Sequence, residues 1–139
     1  MELPHVNYVA VLVSGIAIFI LGGLWYSPLL FAKKWMALMG ITEENIKAAS
    51  NKSMPLMYLT VFICGLVTAW VLAVVLNHFE NLTVLKGAMI AGLCWLGFAG
   101  TTSFGTALFS LKPKELWLIN SGYNLVSFVI AGVIESVWR

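Results

Sequence analysis

The sequence predicts an all-α membrane protein with four transmembrane helices in an up-down bundle and a short interfacial helical segment between helices one and two. Two observations carry this. Four stretches, Val6–Ala32, Ser53–Phe79, Gly87–Leu111 and Leu116–Ile134, contain no Asp, Glu, Lys or Arg. Each is about as long as the roughly 20 helical residues that cross a hydrocarbon core. Hydrophobic residues also make up 60% of the 139 and charged residues only 10%, far below the ~25% charged of a soluble domain. A chain this short cannot build a core large enough to hide such runs from water. In lipid every backbone polar group must be satisfied within the structure, which leaves helices or closed barrels. The runs do not alternate polar and apolar residues, so helices are expected. The chain reads as one transmembrane domain, with helices at about 6–32, 53–79, 84–111 and 113–137 and an amphipathic loop at about 33–52.

Helix one opens near Asn7, after Pro4-His5. The start Met1-Glu2-Leu3-Pro4-His5 is acidic and the apolar run is long, so the segment is expected to be a retained span and not a cleaved signal. Near its far end stand Gly22-Gly23 and Trp25-Tyr26-Ser27-Pro28. Pro28 removes one helix hydrogen bond and clashes with the preceding turn, so a kink or break is expected there. Trp25, Tyr26 and Trp35 suit the headgroup level of a membrane.

Between helices one and two, Phe31, Trp35 and Leu38 share one face, which suggests an interfacial amphipathic turn or two. Gly40 is the expected C-cap and Thr42 the expected N-cap of a second surface helix, roughly Glu43–Ser50, whose two glutamates suit a helix N-terminus. Pro55 opens helix two. Asn51-Lys52-Ser53 and Asn81-Leu82-Thr83 match the glycosylation pattern but abut membrane ends. Pro113 opens helix four. Lys33, Lys34, Lys47, Lys52, Lys112 and Lys114 fall on one side of such a bundle, and Lys86 and Arg139 on the other. The bias places loops 33–52 and 112–115 in the cytoplasm of a cell (inner) membrane and both termini outside.

These residues carry a resemblance. Asn7-Tyr8-Val9-Ala10-Val11-Leu12-Val13, Gly22 to Phe31 with its Trp-Tyr-Ser-Pro centre, Trp35-Met36-Ala37-Leu38-Met39-Gly40-Ile41 and Gly92-Leu93-Cys94-Trp95-Leu96-Gly97-Phe98 together resemble the bacterial domain-of-unknown-function 1761 family. The resemblance implies a small integral membrane protein of four helices. It implies no activity and transfers no catalytic residue.

Polar groups inside a spanning helix are costly unless they pair or face a cavity. In helix four, Asn120, Asn124, Ser127 and Glu135 share a face, with Tyr123 beside it. They are candidates to line a site or pathway for a small solute, ion or lipid, joined by Thr102 and Thr106 of helix three. The competing reading is interhelical glue, and for Glu135, four residues from Arg139, plain exposure to water. Thr101, Thr102, Ser103 and Thr106 can bond their own preceding carbonyls, and Ala88, Gly92, Gly97, Gly100 and Gly105 favour close helix packing.

His5, His78 and Glu80 are weak metal candidates on the outer side, drawn from separate segments without a ligand spacing. Cys64 and Cys94 read as packing residues, with no Cys-x-x-Cys pair. No phosphate-binding loop, nucleophile elbow or His-Glu-x-x-His occurs, so enzymatic activity is the less favoured class and no cofactor is expected. The lysines are explained by topology, so nucleic acid is not an expected partner, whereas membrane lipid is. A homo-oligomer is expected if a continuous path exists, because four helices are narrow. The alternative is an accessory or scaffold subunit that binds lipid or partner helices without transporting anything.

Overall fold

The computed structural model describes residues 2–49 and 53–139. The glycosylation pattern at Asn51, the topological lysine Lys52 and the expected end of the surface helix at Ser50 lie outside the described residues. The elements are α1 (Tyr8–Trp25), α2 (Ala32–Met39), α3 (Glu43–Ala49), α4 (Met54–Leu76), α5 (Val84–Cys94), a π-helical segment (Trp95–Gly100), α6 (Thr101–Phe109) and α7 (Lys114–Val137). All are helical. Four helices, with Val84–Phe109 counted as one, are long and apolar enough to cross a membrane.

The caps follow from local chemistry. Asn7 Oδ1 accepts from the backbone N–H groups of Val9 and Ala10 at 3.1 and 3.3 Å, satisfying two of the four orphan donors of α1. Thr83 Oγ1 does the same for Lys86 N–H at the start of α5. Gly40 takes the left-handed conformation (φ 69°) that ends α2. Thr42 and Asn45 bond reciprocally, Asn45 N–H to Thr42 Oγ1 and Thr42 N–H to Asn45 Oδ1, a capping box with Asn in the third position.

α1 stops at Trp25, and the expected kink is a full interruption spanning Tyr26–Phe31. Pro28 has no N–H to offer. Ser27 supplies the missing donors locally: its Oγ and N–H both reach the Leu24 carbonyl, at 2.6 and 3.2 Å. Phe31 N–H bonds the Trp25 carbonyl and Ala32 N–H the Ser27 carbonyl, which turns the chain and launches α2 along the end of the bundle.

α7 is the hub, packing against α1, α4 and α5, whereas α4 and α5 scarcely touch. Between α4 and the π segment lies an apolar gap of about 340 Å³ lined by Val71, Leu72, Cys94, Phe98 and Phe128. Where α5 meets α7 the backbones nearly touch. A Cβ on Gly87 would lie 2.8 Å from the Gly132 carbonyl oxygen and run into the Ser136 side chain, and a Cβ on Gly132 would lie 2.6 Å from Ala91 Cβ. The glycines expected to do this, Gly92, Gly97 and Gly105, face open space. The close approach sits earlier in the chain, at Gly87, where α5 enters the bundle. Gly15 of α1 makes room for Leu66 of α4 in the same way.

Large hydrophobic side chains cover the outside: Ile20, Leu56, Leu59, Leu85, Met89, Leu93, Phe98 and Leu118 are all exposed. The buried set is dominated by small residues, with Ala10, Ala69, Ala73, Ala91 and Ala131 fully covered. Small residues inside and large apolar ones outside is the pattern of helices dissolved in lipid, where close backbone approach holds the bundle together.

Candidate functional site

A lock between α1 and α7 positions the site. Trp25 Nε1 donates to the Ile119 carbonyl at 2.9 Å, and Tyr123 Oη donates to the Ile18 carbonyl at 3.1 Å. Each helix thus bonds the other's backbone through an aromatic side chain. Each aromatic lies over a glycine of its partner: a Cβ on Gly22 would stand 2.9 Å from Tyr123 Oη, and one on Gly122 would stand 3.2 Å from the Trp25 ring. Tyr26 Oη donates to Asn120 Oδ1 at 2.8 Å. Its ring meets Trp35 of α2 edge-on at 5.9 Å and Tyr123 at 5.6 Å, while Trp25 packs on Phe31 at 5.0 Å with the rings tilted by 41°. Trp25, Tyr26 and Trp35 are half-buried. They face the bundle, and Pro28 itself is exposed at the turn.

Beside this lock, at the Lys112 end, lies a cavity of about 580 Å³ between α6 and α7, with Met39 of α2 on one wall. Asn120, Ser121 and Asn124 line it from α7 and Ser103 and Thr106 from α6, with Ser110, Lys112 and Lys114 at the end where the α6–α7 turn closes it. Ser121 is 3% exposed, and its Oγ has no hydrogen-bond partner among the described residues. The Asn124 amide also has no bond among them. Asn120 is held by Tyr26, and Trp117 is held by Ser103 Oγ through its Nε1 at 3.0 Å and by Phe104 at a ring separation of 4.9 Å. Leu111 takes a left-handed backbone (φ 57°), a conformation that costs a branched side chain on the order of 1–3 kcal/mol. It ends α6 and aims the chain back into α7 next to the two lysines.

The expected polar lining therefore divides. Asn120, Asn124 and Thr106 meet at the cavity. Thr102 is exposed, and its Oγ1 bonds the Phe98 carbonyl of its own helix at 2.7 Å. Thr101, Ser103 and Thr106 likewise bond preceding carbonyls, as hydroxyls in lipid can. Tyr123 belongs to the α1 lock. Ser127 is buried and bonds the Tyr123 carbonyl. Glu135 lies at the opposite end, 3% exposed and bonded to Ser14 Oγ at 3.1 Å, so exposure to water does not explain it. Among the described residues no three His, Cys, Asp or Glu side chains converge. His5 and Glu80 are exposed, and His78 Nδ1 sits 2.7 Å from the Val74 carbonyl.

Residues 9–135 match the family described as Protein of unknown function (DUF1761). The chain belongs to the DUF1761 family. No curated protein and no solved structure matches it. For this DUF1761 protein the match spans both the aromatic lock and the cavity.

Sequence reasoning missed Ser14, Ser121, Gly122 and the Gly87–Gly132 contact. Ser121 and Gly122 stand next to Asn120 and Tyr123, so helical periodicity assigned them to other faces. α7 has neighbours on several sides, and a one-face pattern does not mark which neighbour matters.

Proposed function

We propose that the protein is a membrane-embedded binding site for a molecule bearing an anionic group, phosphate or carboxylate, taken up at the Lys112 end. The observation that carries this is the combined lining of the cavity. Two cationic side chains stand at its end, and an unpartnered buried hydroxyl and a free amide lie deeper. A polar group in a hydrocarbon surround needs a partner, and Ser121 and Asn124 supply donors that the fold leaves unspent. Lys112 and Lys114 favour an anionic headgroup by about 1 kcal/mol each at a membrane surface. Lys33 and Lys34 of α2, which packs against α7, add positive charge at the same end, and the positive-inside rule turns that end toward the cytoplasm of a bacterial inner membrane. One copy forms the cavity by itself, so binding requires no oligomer. The face beyond Asn124 is closed: Ser127 and Ala131 are buried. Binding without a through-path is therefore the reading.

The ligand's source, lipid headgroup or free anion, is separated by native mass spectrometry of the protein released from nanodiscs. Retention of anionic phospholipid over phosphatidylcholine is expected, and the double variant K112Q/K114Q should lose that preference, by roughly thirtyfold if each lysine contributes about 1 kcal/mol. If the protein retains no lipid but its tryptophan fluorescence saturates with a soluble phosphate or carboxylate, the source is a free anion. Equal retention of neutral and anionic lipid, unchanged in the double variant and with no soluble anion binding, would overturn the reading.

A further inference from the structure

Glu135 takes no part in the cavity, and its surroundings carry an inference independent of it. It sits on α7 at the end that also holds Asn7, the α4–α5 turn and Arg139. It is 3% exposed, and Ser14, its one hydrogen-bond partner among the described residues, is 0% exposed. The helices around it offer no counter-charge. α1 and α4 contain no Lys, Arg, Asp or Glu, and α5 has only Lys86, which is exposed and donates to the Asn81 carbonyl at 3.3 Å. Arg139 is spent on Asn77 Oδ1 and the Phe79 carbonyl. The other titratable groups at this end, Glu2, His5, Tyr8, His78 and Glu80, are exposed. Tyr58, Cys64, Cys94 and Tyr123 lie further along the same helices, and Lys114 and Glu115 stand at the far end of α7.

A lone ionised carboxylate in such a place costs far more than one hydroxyl returns. Something must compensate it. A hard divalent cation takes roughly six to eight oxygen ligands. The oxygens here are few: Ser136 Oγ is turned onto the Gly132 carbonyl and Asn77 Oδ1 accepts from Arg139. A proton requires no coordination shell. We propose that Glu135 is a proton-binding site, held in place by Ser14, which exchanges its proton with water at the end of the bundle carrying both termini. Because the pair joins α1 to α7, loss of that proton places an uncompensated charge between them, and packing of the two helices responds to pH on that side.

Dicyclohexylcarbodiimide, which is apolar and adds across its C=N bond to a protonated carboxyl, tests this on the purified full-length protein in nanodiscs. Adduct mapping by mass spectrometry should find Glu135 modified at mildly acidic pH, with modification falling severalfold as pH is raised, while a water-soluble carbodiimide marks the exposed Glu2, Glu80 and Glu115 and spares Glu135. The infrared carbonyl band of a buried carboxylic acid should be present near neutral pH and vanish in Glu135→Gln. Protection of Glu135 by sodium at fixed pH would overturn the proposal in favour of a metal cation. Reaction of Glu135 with the water-soluble reagent as fast as Glu80 would overturn it in favour of a hydrated carboxylate. Absence of both the adduct and the infrared band in folded protein would overturn it as well.

Discussion

At the scale of single residues the bundle is held by reciprocal contacts between aromatic side chains and backbone carbonyls. Tyr123→Phe removes the bond to the Ile18 carbonyl and keeps the ring over Gly22. Interhelical hydrogen bonds in membranes average about 0.6 kcal/mol, so detergent-titrated unfolding should show a loss near that size. Gly22→Ala should cost more, because its Cβ would stand 2.9 Å from Tyr123 Oη and force the ring out of place. Overpacking of this kind costs about 1–3 kcal/mol, and combining Gly22→Ala with Tyr123→Phe should recover part of it. Gly87→Ala meets a backbone oxygen at 2.8 Å as well as the Ser136 side chain. Backbone cannot swing aside, so no single side-chain truncation should rescue that variant, and separation of α5 from α7 should be visible as a new cysteine cross-linking pattern.

Among elements, the Trp-Tyr-Ser-Pro segment links the α1 lock to the cavity. It ends α1, seats Trp25 and Tyr26 on α7, and sends α2 across so that Met39 walls the cavity. Trp35 fixes α2 through its ring contact with Tyr26. Such pairs contribute about 0.5–1.5 kcal/mol. In Trp35→Ala, a cysteine at position 39 should therefore react with a soluble thiol reagent about two- to tenfold faster, with the rate of a cysteine at the exposed position 80, at the opposite end, unchanged. The break itself was legible, because Pro28 forbids an N–H at a fixed place. The inward seating of Trp25 and Tyr26 was not, because an aromatic near a membrane end serves equally well as an interfacial anchor or a packing group. The π segment was also hidden. Trp95 lies over Gly100, five residues on, with ring atoms 3.0–3.3 Å from where a Cβ would be, which suits an i→i+5 turn. Hydropathy over Trp95–Gly100 is the same whether the helix is α or π.

For the whole molecule, the four apolar runs made the class of fold legible, because lipid accepts only backbones that satisfy themselves. Helix directions within pairs also follow from the contacts: Ser14 meets Glu135 while Trp25 meets Ile119, and Gly87 meets Ser136 while Ala91 meets Gly132. α1 and α5 therefore both run antiparallel to α7. What periodicity could not convey is that α7 is central. A helix with neighbours on three sides carries polar groups for different purposes on different faces, so one continuous stripe from Asn120 to Glu135 resolves into a cavity wall, a self-bonded serine and a buried acid. The Lys112-end cavity is expected to admit polar molecules as far as Asn124 and to end there. Single cysteines at positions 110, 120, 124, 127, 131 and 135, in a background lacking Cys64 and Cys94, test it with a membrane-impermeant thiol reagent added from either side. Labelling at 110, 120 and 124 from the Lys112 side, with 127 and 131 unreactive from both sides, is the expected result. Labelling that continues with helical period through 127 and 131 would show a through-path, and silence at 124 would show that the cavity is closed to water; either contradicts the claim.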